Sequence, residues 1–249
     1  MFKTRKIKRV FPIDKSLGYK NLIVSGCSFT HNVTEDHLDT WPYYLRDIGG
    51  FNEVYDCSLP GAGNNHIANS LQWCLETDPI DPADSLVVVM WSGNDRDDYV
   101  MPVSNDTKNY PFHFNYSKDV VSGITAGSAK WNKGNLKEYC VPKSKESRAI
   151  ENYLLVNHMY HYLESKGFKF IFLNFLKGPS RTLHFDITPY LPKNIQQTYK
   201  RMFIDLTDLH EWAIRHDLQN TDGFHPTVHG HLDWTRKVLH PYLVDNYSI

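Results

Sequence analysis

The stretch NLIVSGCSFTHN, residues 21–32, decides the fold. Its apolar run predicts a buried strand over Asn21–Ser25, and Gly26, Cys27 and Ser28 follow directly at the start of a polar turn. One interpretation is that Ser28 only caps a following helix, a common role of serine at such a position. The other is that Ser28 is a nucleophile at the carboxyl edge of a sheet. The serine by itself does not distinguish these two interpretations.

Strand-like and helix-like segments alternate along the chain. Runs rich in β-branched and aromatic residues predict five strands, at Asn21–Ser25, Glu53–Cys57, Ser85–Trp91, Phe168–Asn174 and Met202–Leu206. Helical periodicity and end signals predict five helices, at Thr40–Ile48, Asn64–Glu76, Glu146–Lys166, Leu209–His216 and Val228–Val244. This alternation predicts an α/β fold with a mostly parallel five-stranded sheet flanked by helices, and a site at the carboxyl ends of the strands.

The composition is that of an ordinary globular protein. The 249 residues include 27 Lys and Arg and 28 Asp and Glu, a net charge of −1, so we expect neither a nucleic-acid partner nor an anionic membrane surface. No run reaches the roughly 18 apolar residues of a membrane span. The basic N-terminal segment lacks the apolar region of a signal peptide. The 4 cysteines form no CxxC pair, which favours free thiols. We therefore expect a cytoplasmic protein, and association with a virus particle stays open.

One long segment breaks the alternation. Residues 99–147 show no sustained period and carry scattered glycine, asparagine, serine and proline together with many aromatic residues. A loop of this length in a compact domain is commonly a lid or a binding insertion, and its aromatic content argues against disorder. We predict a single domain over residues 1–249 with an aromatic-rich insertion at about 99–147.

Four short blocks stand in order along the chain, and three of them directly follow predicted strands. They are Gly26–Thr30 (GCSFT), Ser58–Asn65 (SLPGAGNN), Trp91–Asp95 (WSGND) and Asp222–Pro226 (DGFHP). Together they resemble the four blocks of the SGNH hydrolases, also called the GDSL esterase and lipase family, over nearly the whole chain. The resemblance implies a three-layer flavodoxin-like fold and hydrolysis of acyl esters without a cofactor.

The resemblance also implies a role for each matching residue. Ser28 would be the nucleophile, His225 the base and Asp222 the residue that orients the imidazole. Gly61 and Asn94 would complete an oxyanion hole with the main-chain N–H of Ser28.

The chemistry of these residue types leads to the same assignment. A serine hydroxyl becomes a useful nucleophile only when a neighbouring base takes its proton, and imidazole titrates in the useful range. Asp222 and His225 lie three residues apart on one turn, so the carboxylate can accept the Nδ1 proton and leave Nε2 facing Ser28. Main-chain N–H groups of Ser28 and Gly61, with the Asn94 amide, would then stabilise the oxyanion of the tetrahedral intermediate.

Other chemistries are less well supported by the sequence. Cys27 stands where the family block usually has aspartate, and we expect its side chain to pack into the core because adjacent residues at a strand end point to opposite sides. His225, His229 and His231 have metal-ligand spacing in part, but no cysteine or carboxylate cluster accompanies them, so we predict no metal site. The aspartates of residues 95–98 are interpreted as a solvated turn.

The substrate and the fate of the acyl group stay open. The aromatic residues of the insertion would suit stacking on sugar rings, which favours a small-molecule or carbohydrate ester, with carbohydrate O-deacetylation as the hypothesis. An acyltransferase that uses the same triad and excludes water is one alternative. A non-catalytic binding or structural module that retains the fold is the other. The sequence does not give the oligomeric state.

Overall fold

A four-stranded parallel sheet organises the protein. The structure is a computed structural model that describes residues 11–31, 39–93, 98–101, 122–125, 144–174 and 188–249. The strands are β1 (Asn21–Ser25), β2 (Glu53–Asp56), β3 (Ser85–Trp91) and β6 (Lys169–Asn174), in the order β2-β1-β3-β6. This order matches the first four strands of a flavodoxin-like sheet. All seven residues of β3 are buried, as expected for a parallel strand covered on both faces.

The predicted fifth strand, Met202–Leu206, is wrong. Helix α4 (Lys193–Arg201) runs directly into this segment, and Met202 still has helical backbone angles, with φ −71° and ψ −19°. Ile204 N–H donates to the Phe172 carbonyl at the sheet edge, at 3.1 Å, but the segment forms no strand. The sheet has four strands within the described residues.

Helices cover the sheet in two groups. Helices α2 (Asn64–Thr77) and α3 (Lys145–Ser165) pack on each other and against β1, β3 and β6. Helix α1 (Trp41–Gly49) packs against β1, β2 and the C-terminal helices. The remaining helices are α5 (Leu209–Arg215), α6 (Val228–Trp234) and α7 (His240–Tyr247), and a π-helical segment, Thr235–Leu239, joins the last two. Each predicted helix is present, the last of them as this interrupted pair, whereas α4 was not predicted. No helix among the described residues is both long and apolar enough to span a membrane.

The segment predicted as an insertion contains a small second sheet. Strands β4 (Asp98–Met101) and β5 (Ser122–Thr125) pair antiparallel, with Tyr99 opposite Ile124. Most other positions of the insertion lie outside the described residues, so the prediction that it binds ligands stays a prediction, as does the single-domain boundary.

The sheet order places the site. Strands β1 and β3 are neighbours at the centre of the sheet, and the helices that follow them lie in different groups. In open parallel sheets this reversal creates a crevice at the carboxyl ends of the two strands. Ser25 pairs with Val89 near that edge, so the turn that begins at Gly26 and the loop that begins at Ser92 leave the sheet side by side.

Candidate active site

The turn after β1 holds Ser28 in a tight helical loop. The carbonyl of Cys27 accepts hydrogen bonds from the N–H groups of both Thr30 and His31, each at 2.9 Å. Ser28 is only 8% exposed. Cys27 is fully buried in the core, as predicted from its position beside the serine.

Ser28, His225 and Asp222 lie in one hydrogen-bonded chain. Ser28 Oγ lies 2.8 Å from His225 Nε2, and His225 Nδ1 lies 2.5 Å from Asp222 Oδ2. When Nδ1 carries the proton that faces Asp222, Nε2 is the free acceptor for the proton of the serine hydroxyl. Ser28, His225 and Asp222, predicted from the first and fourth blocks, therefore lie within hydrogen-bonding distance of one another in the order of a Ser-His-Asp triad.

The environment of Asp222 favours its ionised form. Partial burial acts to raise the pKa of the carboxyl, but hydrogen bonds from the Phe224 N–H, the His225 side chain and the His225 N–H outweigh it, so the pKa lies below its ordinary value. Both N–H groups reach Oδ1 at 2.9 Å, which leaves Oδ2 for the imidazole. Asp222 is thus fixed by its own turn as an acceptor of the Nδ1 proton.

Aromatic rings hold the imidazole from the other side. The Phe29 ring lies 5.2 Å from the His225 ring and 5.2 Å from the Phe224 ring, measured between centroids. His210 Nδ1 lies 3.0 Å from the Phe224 carbonyl, and the Asn220 N–H donates to the His225 carbonyl at 2.7 Å. Phe29, the residue after Ser28 in the first block, therefore packs directly on His225 of the fourth block.

The second block is bonded to the first. The N–H of Leu59 donates to the Gly26 carbonyl at 3.0 Å, which ties the loop after β2 to the turn of Ser28. Gly61 has a φ of +80°, in the left-handed region that favours glycine. This loop brings the predicted oxyanion donor Gly61 to the same sheet edge as the serine. Asn94, the other predicted donor, lies outside the described residues.

A polar cluster that the sequence analysis missed joins the same two loops. Asp56, the last residue of β2, accepts hydrogen bonds from the Ser58 N–H at 2.9 Å and from the Ser58 hydroxyl. His31 Nδ1 lies 3.8 Å from Asp56 Oδ2 and 3.4 Å from Ser58 Oγ. These contacts support the turn that carries Ser28. No local pattern in the sequence predicts them.

Asp98 has a different role from the predicted solvated turn. Its carboxylate accepts hydrogen bonds from the N–H groups of Gly63 and His66, both at 2.8 Å, at the first turn of α2. A carboxylate is favourable there because helix N-termini expose unpaired N–H groups and carry partial positive charge. Gly63 leaves room for it, since a Cβ at this position would lie 2.6 Å from Asp98 Oδ2.

The histidines of the alternative metal site do not converge. His225 faces Ser28 and Asp222, His229 is exposed, and His231 is buried, with its pKa lowered to about 3 by burial and by the charge of His225. Within the described ranges no group of three or more histidine, cysteine, aspartate or glutamate side chains is arranged to hold a metal ion.

No protein-family model and no curated protein matches the chain, whereas solved structures do. The structure of TesA matches at 14% sequence identity with a TM-score of 0.50, over 90% of this chain and 97% of TesA. The chain shares its α/β fold with TesA. The esterase EstA from Pseudoalteromonas sp. is similar at 10% identity and a TM-score of 0.49, over 90% of this chain and 98% of EstA. A GDSL-like lipase from Bacteroides thetaiotaomicron is similar at 14% identity and a TM-score of 0.42, over 91% and 88%. The sheet topology and the match to TesA confirm the predicted α/β fold with a mostly parallel sheet, which has four strands in place of five within the described residues.

Proposed function

We propose that this protein is a serine esterase of the SGNH type that hydrolyses acyl esters through an acyl-enzyme and needs no cofactor. The observation that supports this most directly is the chain of contacts Ser28 Oγ to His225 Nε2 at 2.8 Å and His225 Nδ1 to Asp222 Oδ2 at 2.5 Å. The fold shared with TesA and the order of the four blocks support the same proposal.

The geometry supports a two-step reaction. Ser28 Oγ attacks the ester carbonyl carbon while His225 Nε2 takes the hydroxyl proton, and Asp222 stabilises the imidazolium that forms. The histidine then gives this proton to the leaving alcohol as the carbon–oxygen bond breaks. In the second step His225 takes a proton from water, which attacks the acyl-enzyme and releases the acid. The N–H groups of Ser28 and Gly61, with the amide of Asn94, are the proposed donors to the oxyanion.

Labelling with a fluorophosphonate, followed by peptide mass spectrometry, tests the proposal. We expect a single adduct on Ser28 in the wild-type protein, no adduct in Ser28→Ala, and strongly reduced labelling in His225→Ala. His229→Ala is the matched control, because it removes an exposed histidine from the same region and should label normally. A folded wild-type protein that gives no adduct and hydrolyses no ester would favour the alternative of a non-catalytic binding module.

The substrate proposal is carbohydrate O-deacetylation, and it rests on the aromatic residues of the insertion. Acetate release from acetylated oligosaccharides, compared with hydrolysis of long-chain acyl esters, is the measurement. A clear preference for long acyl chains would contradict the carbohydrate proposal and leave the esterase proposal intact. Product analysis with and without an added alcohol acceptor separates hydrolysis from acyl transfer, because a transferase would form a new ester.

A further inference from the structure

His210, near the start of α5, holds the main chain next to His225. His210 is 5% exposed, and its Nδ1 lies 3.0 Å from the Phe224 carbonyl oxygen. A carbonyl oxygen only accepts hydrogen bonds, so Nδ1 carries a proton and is the donor in this contact. This buried histidine is therefore a donor to the turn of residues 222–226.

The Phe224 carbonyl belongs to the peptide group that leads into His225. The N–H of the same peptide group donates to Asp222 Oδ1 at 2.9 Å. A peptide group is planar, so one partner at its oxygen and a second partner at its N–H together fix its orientation. His210 and Asp222 thus hold opposite sides of the group that positions the Cα atom of His225.

The bond from His210 comes from outside the loop that carries the turn. The carbonyls of the two residues that flank Phe224 accept hydrogen bonds from Gln219 and Asn220, which lie on the same loop. Helix α5 has its own support, because the Asp208 carboxylate accepts a hydrogen bond from the N–H of the third helical residue at 2.7 Å. His210 therefore ties the loop to a separate element, whereas the bonds within the loop move with it.

The His210 ring also packs against the turn of the serine. Its centroid lies 5.9 Å from that of Phe29, the residue after Ser28, and 4.9 Å from that of Phe224. The Phe29 ring in turn contacts the His225 ring. One side chain of α5 thus contacts both turns whose relative position sets the 2.8 Å separation of Ser28 Oγ and His225 Nε2.

We propose that His210 is a positioning residue that, through its hydrogen bond to the Phe224 carbonyl, holds the His225 imidazole toward Ser28. The inference rests on the proposed esterase function. In this role His210 acts through the main chain and not on the substrate. A displacement of the imidazole by about 1 Å costs on the order of 100-fold in rate, because proton transfer needs the base within hydrogen-bond reach of the hydroxyl.

The test separates the hydrogen bond of His210 from the packing of its ring. His210→Phe keeps an aromatic ring but has no donor for the Phe224 carbonyl. His210→Asn lacks the ring but carries an amide nitrogen the same number of bonds from the main chain as Nδ1. With p-nitrophenyl acetate we expect His210→Phe to lower kcat by about 10- to 100-fold with little change in KM. We expect His210→Asn to keep a kcat close to that of the wild type.

A second variant and a control complete the series. His210→Gln places its amide nitrogen at the level of Nε2 and not of Nδ1, so it should lower kcat as His210→Phe does, and it decides the test if His210→Phe does not fold. His216→Phe replaces an exposed histidine directly after the same helix and should keep the wild-type kcat. The rate of fluorophosphonate labelling of Ser28 should fall in parallel with kcat, because labelling requires the same activated hydroxyl.

Urea unfolding of each variant distinguishes positioning from general destabilisation. His210→Asn should lose stability with its ring contacts and still keep its kcat. An equal loss of kcat in His210→Asn and His210→Phe, or a wild-type kcat in His210→Phe or His210→Gln, would overturn the inference. If the wild type hydrolyses no ester and Ser28 is unreactive, the proposed function itself fails, which is a different result from an active wild type with insensitive His210 variants.

Discussion

Gly26→Ala tests how tightly the Ser28 turn is built. A Cβ at position 26 would lie 2.1 Å from Thr30 Oγ1, 2.7 Å from Thr30 Cβ and 3.1 Å from the Met90 carbonyl. Rotating the threonine side chain can move its hydroxyl but not its Cβ. Thr30 is fully buried and its N–H is bonded to Cys27, so the turn as a whole has to shift.

The size of the shift follows from these distances. Side-chain carbons essentially never approach other heavy atoms closer than 3.0 Å, so the contact at 2.7 Å demands a few tenths of an ångström and the contact at 2.1 Å close to one. Ser28 lies inside the turn that has to move, and its 2.8 Å contact with His225 cannot absorb a displacement of this size. We expect kcat/KM to fall by on the order of 100-fold. Overpacking should also lower the free energy of unfolding by about 1–3 kcal/mol.

Ester hydrolysis and urea unfolding measured on the same preparation check this prediction. Gly167→Ala is the control, because it adds the same methyl group before the amino end of β6, where no heavy atom of a described residue other than its chain neighbours lies within 4 Å. Its φ of +79° should cost stability through backbone strain while kcat/KM stays unchanged. A folded Gly26→Ala protein with wild-type kcat/KM would refute the reasoning that this glycine sets the position of the serine.

Three further predictions concern charge and burial. Asp222→Asn should lower kcat by about 10²- to 10⁴-fold, less than Ser28→Ala, and full activity would remove Asp222 from the mechanism. Burial, with the charge of His225, lowers the pKa of His231 from 6.5 to about 3, so below pH 6.5 the unfolded chain takes up a proton that the folded protein does not. The free energy of unfolding should therefore decrease as the pH is lowered. Between pH 7 and pH 5 it should decrease by about 2 kcal/mol less in His231→Leu than in the wild type, as measured by urea unfolding. Burial raises the pKa of the Cys57 thiol, so iodoacetamide at pH 8 should leave this residue unlabelled until urea is added, as read by peptide mass spectrometry.

The sheet was predictable where a strand is apolar on both faces. Ser85–Trp91 is a continuous apolar run, and a parallel strand covered by helices on both faces needs such a run. Met202–Leu206 has a similar local pattern but continues from a helix that the sequence analysis missed. That helix, Lys193–Arg201, spans nine residues and is mostly polar. Its apolar stripe consists of Ile195 and Tyr199, which is too short to establish a helical period. Local pattern therefore failed where the path of the preceding element decides the conformation.

The contacts of the site also differ in how far the sequence predicts them. Asp222 and His225 lie on one turn, so their contact could be predicted from spacing, and Ser28 from its place after a strand. The contact of Asn64 with Ser92 joins residues 28 positions apart, and the contacts of Asp98 with Gly63 and His66 join residues 35 and 32 positions apart. These contacts form only through tertiary packing. Amide and carboxylate side chains that bond main-chain groups produce no periodic pattern in the sequence. They cannot be distinguished there from other polar residues of a turn.

The two partners of the Ser28–His225 contact belong to parts of the molecule that should differ in local stability. Ser28 follows an interior strand, and interior strands commonly exchange their amide protons only through global unfolding. His225 lies on a surface turn beside exposed Asp222 and Gly223, and such turns open at a lower free energy. The proposed reaction requires both partners, so its durability should be that of the turn and not of the core. Loss of the proposed esterase activity in rising urea should come before loss of the core fluorescence signal, and substitutions that stabilise residues 219–226 should delay that loss.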